Sequence, residues 1–90
     1  MSHINRNRGR LLGRIRRIGG QVAALEQALG GEADCTEVLT QIAAVRGAVH
    51  GLMIEVLQDH LQEHLANEPD ATRREKDVAA IAALLRTYLK

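Results

Sequence analysis

From Leu11 onward the apolar residues fall at Leu11, Ile15, Ile18, Val22, Leu25 and Leu29. This 4-3-4-3-4 spacing follows one face of a helix and not the alternation of a strand, so it predicts a first helix. Gly30-Gly31 ends that helix and suits a left-handed C-terminal cap. Asp34-Cys35-Thr36-Glu37 has the form of a capping box and opens a second helix, with Val38, Ile42, Val45, Val49, Leu52 and Val56 along its apolar face. Asn67-Glu68-Pro69 stops it. Thr72-Arg73-Arg74-Glu75 reads as another capping box, followed by a short third helix carrying Val78, Ile81, Leu85 and Tyr88. The pattern predicts an all-α fold of three helices in one domain, residues 1–90.

The second helix spans about 32 residues, roughly 48 Å at 1.5 Å per residue, which is longer than a 90-residue globule is wide. Part of it must therefore pack on something other than its own chain. Ala43, Gly47 and Gly51 form a strip of small residues at four-residue spacing, where two helices could approach closely. Composition points the same way. With one Tyr and no Phe or Trp, no side chain buries a large area, and self-association is expected.

One Cys excludes an intrachain disulfide framework. No uncharged stretch, residues 47–54 included, exceeds eight residues, far short of the roughly 20 apolar residues that span a bilayer. No apolar run follows the arginines of residues 6–17, so no signal peptide is read there. The chain is expected to be cytoplasmic, with no membrane partner. Net charge is only +1, but residues 1–20 carry six Arg and no acid, leaving all 11 acids to the remainder.

Candidate chemistry sits in His3, Cys35, His60 and His64. The spacing of His60 and His64 puts both rings on one helix face one turn apart, as two ligands of one metal require. Cys35 lies in the first turn of the second helix, where exposed N–H groups and the helix dipole favour a thiolate. About 37 Å of helix separates Cys35 from His60, so one chain cannot close the site. Two copies of the second helix packed antiparallel would bring Cys35 of one beside His60 and His64 of the other, twice, about a twofold axis. His3 would add a ligand from the N-terminal tail, and the Ser2 amine another if Met1 is removed. His50 faces elsewhere on the helix and is excluded from the set. Cys35 with a histidine base would also suit a hydrolase or transferase, but no oxyanion loop or substrate pocket accompanies it, and the chain does not read as an enzyme.

Arg10, Arg14, Arg17 and Gln21 follow a 4-3-4 spacing on a face offset from the apolar stripe, with Arg16 flanking. Arginine suits phosphate and guanine contacts, and the segment holds no acid to pair with it. Without aromatic residues for base stacking, duplex DNA is the nucleic acid that fits. A purely structural helical adaptor would explain the oligomerisation but not the arginines or the ligand residues.

Gly20-Gln21, the run Gln41-Ile42-Ala43-Ala44-Val45-Arg46-Gly47-Ala48, Gly51-Leu52-Met53 and Glu55-Val56 together resemble the CsoR/RcnR/FrmR family of metal- and aldehyde-responsive repressors, across essentially the whole chain. That resemblance implies antiparallel dimers of three-helix protomers, joined through the second helix and paired into tetramers. It also implies binding of double-stranded operator DNA in the ligand-free state and release when ligand binds, at genes expected to encode metal efflux. It places Arg14, Arg17 and Arg46 at operator-contact positions, with Gln21 beside them; Arg10 and Arg16 are added from charge alone. The set His3, Cys35, His60, His64 looks like the nickel/cobalt branch typified by RcnR, whereas the copper branch would carry Cys at position 64. One thiolate with imidazoles and an amine suits Ni(II) or Co(II) as effector, and Zn(II) is also chemically reasonable. The formaldehyde-sensing branch shares Cys35 and His60 but usually has Pro at position 2 and lacks His at 64, so Ser2 and His64 weigh against it.

Overall fold

The computed structural model describes residues 7–88. Three α-helices are present among them, α1 (Arg8–Gly30), α2 (Cys35–Leu61) and α3 (Ala71–Tyr88), with no strand. A π-helical turn, Gln62–Ala66, continues α2.

Local chemistry sets the helix ends. Asp34 Oδ1 accepts the Glu37 N–H at 2.9 Å, the cap expected at the start of α2. The C-terminal end of α1 differs from expectation. Gly31 has φ −111° and ψ −141°, and no glycine among the described residues has positive φ. The Gly31 N–H donates to the Ala28 carbonyl at 3.3 Å, a tightened last turn that satisfies this carbonyl without a left-handed residue. Gly31 is small for a steric reason instead, since a Cβ there would lie 3.1 Å from the Gln27 carbonyl oxygen. At α3 the cap is Asp70 and not Thr72. Asp70 Oδ1 accepts the Thr72 N–H at 2.9 Å and its carbonyl accepts the Arg74 N–H at 3.0 Å, which places Thr72 inside the first turn. The expected α-helical end of α2 is also altered. The Asn67 N–H bonds to the Gln62 carbonyl five residues back at 3.0 Å, widening the last turn.

α1 and α2 form an antiparallel hairpin. Beside Gly13, the residues of α1 withdrawn from solvent are Leu11, Arg14, Ile18, Gln21, Leu25 and Ala28, and those at matching spacing on α2 are Val38, Gln41, Val45, Ala48, Leu52 and Glu55. The seam therefore takes only alternate members of each apolar stripe. Ile15 (48% exposed), Val22 (47%), Ile42 (46%) and Val49 (47%) stand open on one flank of the hairpin. Leu11, at 4% exposure, is the one buried apolar residue among those described.

α3 leans on the π turn and the end of α2 without covering the hairpin, and its Val78, Leu84 and Tyr88 are exposed. The protomer measures 56 × 29 × 13 Å, so it is a single layer about one helix thick. Its radius of gyration is 17.2 Å, against about 12 Å for a compact chain of this length. No helix among the described residues is long and apolar enough to cross a membrane.

Candidate metal centre and nucleic-acid interface

His60 occupies the last turn of α2 and His64 the π turn that follows. Their rings stack with centroids 4.4 Å apart and planes inclined by 29°. His64 Nδ1 lies 3.5 Å from Asp77 Oδ2 on α3. A carboxylate at Nδ1 favours the proton there and leaves Nε2 as the lone-pair nitrogen, the arrangement that supports a histidine ligand. His60 Nε2 is buried, at the end of an apolar groove of about 410 Å³ between α2 and α3 walled by Met53, Leu57, Ile81 and Leu84.

Cys35 is the first residue of α2 and is exposed. The structure leaves it at the far end of the helix from His60, about 37 Å away by helical rise. No group of three or more His, Cys, Asp or Glu side chains placed to hold a metal occurs among the described residues. Ser2 and His3 lie outside those residues. One protomer thus supplies a two-imidazole half-site and, at the opposite end, a thiol. The donor types suit a transition-metal ion, but within one chain the thiol and the imidazoles do not meet.

The two ends of α2 nevertheless share a flank. Cys35, Ile42, Val49 and Val56 recur every seven residues, and His60 is one turn beyond Val56, so all share one flank of the helix. This is the open apolar flank that carries the exposed Ile42 and Val49. Of the Ala43/Gly47/Gly51 strip, Ala43 and Gly47 are exposed and only the last member is occupied within the chain. Gly51 turns toward α1, where a Cβ would lie 2.5 Å from Arg14 Nη2. Its opening is filled by the chain's own arginine.

The basic residues gather on the other flank of the hairpin. Arg14, Arg17 and Gln21 line one shallow groove of about 520 Å³ with Ile18, Ala24 and Ala48. Arg10, Arg16, Arg17 and Arg46 are exposed, Arg14 and Gln21 half-buried. Arg46 stands apart on α2, in the row of Ile42 and Val49.

Two of these arginines are not unpaired, contrary to what the charge count over residues 1–20 implied. Glu55 of α2, 7% exposed, holds both. Arg14 Nη1 donates to Glu55 Oε1 at 2.6 Å, and Arg10 Nε forms an ion pair with Glu55 Oε2 at 2.8 Å. Nearby, Asn7 Nδ2 donates to Asp59 Oδ2 at 2.5 Å. The partner acid comes from 41 positions away in the chain, which local charge counting does not see. The one signal was a lone acid within Met53-Ile54-Glu55-Val56-Leu57.

Comparison with known proteins places the chain. Residues 7–87 match the family model described as metal-sensitive transcriptional repressor. The transcriptional repressor RcnR of Salmonella typhimurium is 47% identical over 90 residues, the full length of both chains. A Serratia marcescens protein from the bioA 5′ region is 53% identical over 92 residues, again end to end. Among solved structures, a variant of the formaldehyde-responsive regulator FrmR from Salmonella enterica serovar Typhimurium, with a glutamate replaced by histidine, superposes with a TM-score of 0.82 at 46% identity. That match covers 92% of this chain and 94% of the other. By sequence over nearly its whole length and by the fold of its three helices, the chain belongs to the CsoR/RcnR/FrmR family of metal-sensitive transcriptional repressors, which are regulators and not enzymes.

Proposed function

We propose that this protein is a cytoplasmic Ni(II)- or Co(II)-responsive repressor, which binds operator DNA when metal-free and releases it on metal binding, so that metal-efflux genes are expressed. The observation that carries the reading is the shared flank of α2. Cys35 and His60 stand at its two ends with exposed Ile42 and Val49 between them.

Antiparallel packing of two such flanks covers the apolar row and sets Cys35 of one protomer against His60 and His64 of the other. The protomer's accessible surface supports this. It is 6655 Å², against about 5,200 Å² for a compact 9.9 kDa monomer, and the excess is of the order that one subunit buries in an obligate dimer. The exposed Val78, Leu84 and Tyr88 of α3 supply a further apolar surface for pairing dimers into a tetramer.

Cys35, His60 and His64 would hold the ion, joined by His3 and the Ser2 amine from the tail, a nitrogen-rich set with one thiolate that suits Ni(II) or Co(II). When bound, the metal supplies a fixed centre toward which these donors converge. Zn(II) could be held by Cys35, His60 and His64 alone in tetrahedral geometry. The tail that carries His3 leads directly into Arg8 and Arg10, so its capture would shift the start of α1. Arg10, Arg14, Arg16, Arg17 and Gln21 on α1 form the DNA face through phosphate contacts, with affinity that falls steeply as salt rises. Arg46, on the far flank, joins that surface only if the duplex spans more than one protomer.

Titration of the reduced metal-free protein with Co(II), alongside competition for operator-length duplex, tests the reading. Weak six-coordinate visible bands, a Cys35-dependent near-ultraviolet band and loss of DNA binding are the expected result. Intense tetrahedral bands would move the assignment to zinc. A second reading, formaldehyde-responsive repression through Cys35, draws on the exposed thiol and the likeness to FrmR. It would be favoured by intact DNA binding with no cobalt bands.

A further inference from the structure

Glu55 is the most buried charged residue described, yet it sits beside the surface assigned above to DNA, and neither the metal reading nor the fold requires an acid there. Its surroundings are built in sequence. Gly51 leaves room for the Arg14 guanidinium, whose Nη2 would be 2.5 Å from any Cβ at that position. Arg14, its side chain only 30% exposed, donates to Glu55 Oε1 at 2.6 Å from within the seam. Glu55 Oε2 in turn holds Arg10 through Nε at 2.8 Å, while the Arg10 side chain stays 70% exposed. Arg14 supplies the counter-charge that a buried carboxylate needs. Arg10 is ion-paired through the nitrogen nearest its stem, without hydrogen-bond alignment, which leaves the edge formed by its two terminal nitrogens for another partner.

We propose that Glu55 is a positioning residue for DNA binding: its buried carboxylate, neutralised from inside by Arg14, pre-orients Arg10 for a bidentate phosphate contact. The inference rests on the reading of this chain as a DNA-binding repressor. Its physical basis is that a fixed arginine fork loses less rotamer entropy on contact than a mobile one. It makes a counter-intuitive demand. Removing a negative charge beside the DNA face must weaken binding, where a purely electrostatic account has it strengthen.

The test measures binding of the full-length, reduced, metal-free protein to a fluorescein-labelled duplex across a salt series. Glu55→Gln is expected to weaken binding roughly tenfold, and the slope of log affinity against log salt to fall by about one. Arg10→Lys keeps the charge at an exposed position, so folding is not at stake, and is expected to weaken binding likewise because lysine has no fork to align. Glu55→Gln added to Arg10→Ala should cost nothing further. Helicity and oligomer mass, followed in parallel, separate positioning from loss of structure. Tighter binding by Glu55→Gln, or binding by Arg10→Lys equal to wild type, would overturn the proposal while leaving the repressor reading intact. Failure of the wild-type protein to bind duplex at all would overturn that reading and this one with it.

Discussion

Replacing Gly51 by Ala should destabilise the protein, although an alanine in the middle of a helix ordinarily does the opposite. On propensity alone, Gly→Ala within α2 gains about 1 kcal/mol. Against it stands the added Cβ, 2.5 Å from Arg14 Nη2, a contact that cannot persist. The guanidinium is the end of a flexible side chain and could swing away, but its Nη1 is committed to Glu55 at 2.6 Å, and Glu55 is 7% exposed. Displacing Arg14 breaks a charge-assisted hydrogen bond worth about 1.5–3 kcal/mol and leaves a buried carboxylate with one partner fewer. The balance is a net loss of about 1–2 kcal/mol, or some 4–8 °C in Tm per kcal/mol for a domain of this size. Thermal unfolding at one fixed protein concentration is the assay, because association contributes to apparent stability. The decisive comparison is the same substitution in an Arg14→Ala background, where no guanidinium remains to collide with and Gly51→Ala should become stabilising by about 1 kcal/mol. An identical stabilising effect in both backgrounds would refute the idea that Arg14 is docked over Gly51.

Asp34→Ala should lower stability by about 1 kcal/mol, seen as a reduced Tm, because it removes the 2.9 Å bond to the Glu37 N–H. Arg17→Ala should weaken duplex binding and reduce the salt slope by about one, with metal affinity unchanged by titration. Asp77→Asn should lower metal affinity by about 10- to 100-fold, since Asp77 faces His64 Nδ1 at 3.5 Å, and spectroscopic competition with a chelator would measure it. His3→Leu should keep DNA binding and much of the metal affinity but lose release of DNA by metal; undiminished release by nickel would remove the tail from the mechanism.

Helix number, order and the N-terminal cap of α2 were legible because they depend on local chemistry: periodicity, Asp34 and the stop at Pro69. The ends went astray where a competing local group lay close by. Asp70 displaces Thr72 as cap by accepting the Thr72 N–H on its own side chain, so the helix starts two residues upstream. The left-handed cap at Gly30-Gly31 was not needed, since the Ala28 carbonyl is satisfied by the Gly31 N–H three residues on. At the candidate site, one turn of helix sufficed to bring His60 and His64 together, and distance alone showed that Cys35 could not join them within a chain. Glu55 and Asp77 were not legible. Each acts across a tertiary contact, from α2 to α1 and from α3 to the π turn, and no spacing rule reports which helices become neighbours. The apolar stripes were read correctly as stripes, but not that each is divided between the seam and an open flank.

On the proposed reading, that division lets so thin a chain serve two ligands. One flank of the hairpin is apolar and carries Cys35 and His60 at its ends; the other carries Arg14, Arg17 and Gln21 along a groove. On the proposed reading, a metal on the first flank and a duplex on the second do not compete for side chains, so influence between them passes through the His3 tail or through the seam. The path is short there. Asp59, adjacent to His60, bonds Asn7 at the start of α1, and Glu55, one turn earlier, holds Arg10 and Arg14. A displacement of the histidine-bearing end of α2 is therefore expected to reach the basic end of α1 through these three direct polar links, to Asn7, Arg10 and Arg14, and not through a continuous core, since Leu11 is the one buried apolar residue among those described. Coupling by such a path is reciprocal: the factor by which bound metal lowers DNA affinity must equal the factor by which bound DNA lowers metal affinity.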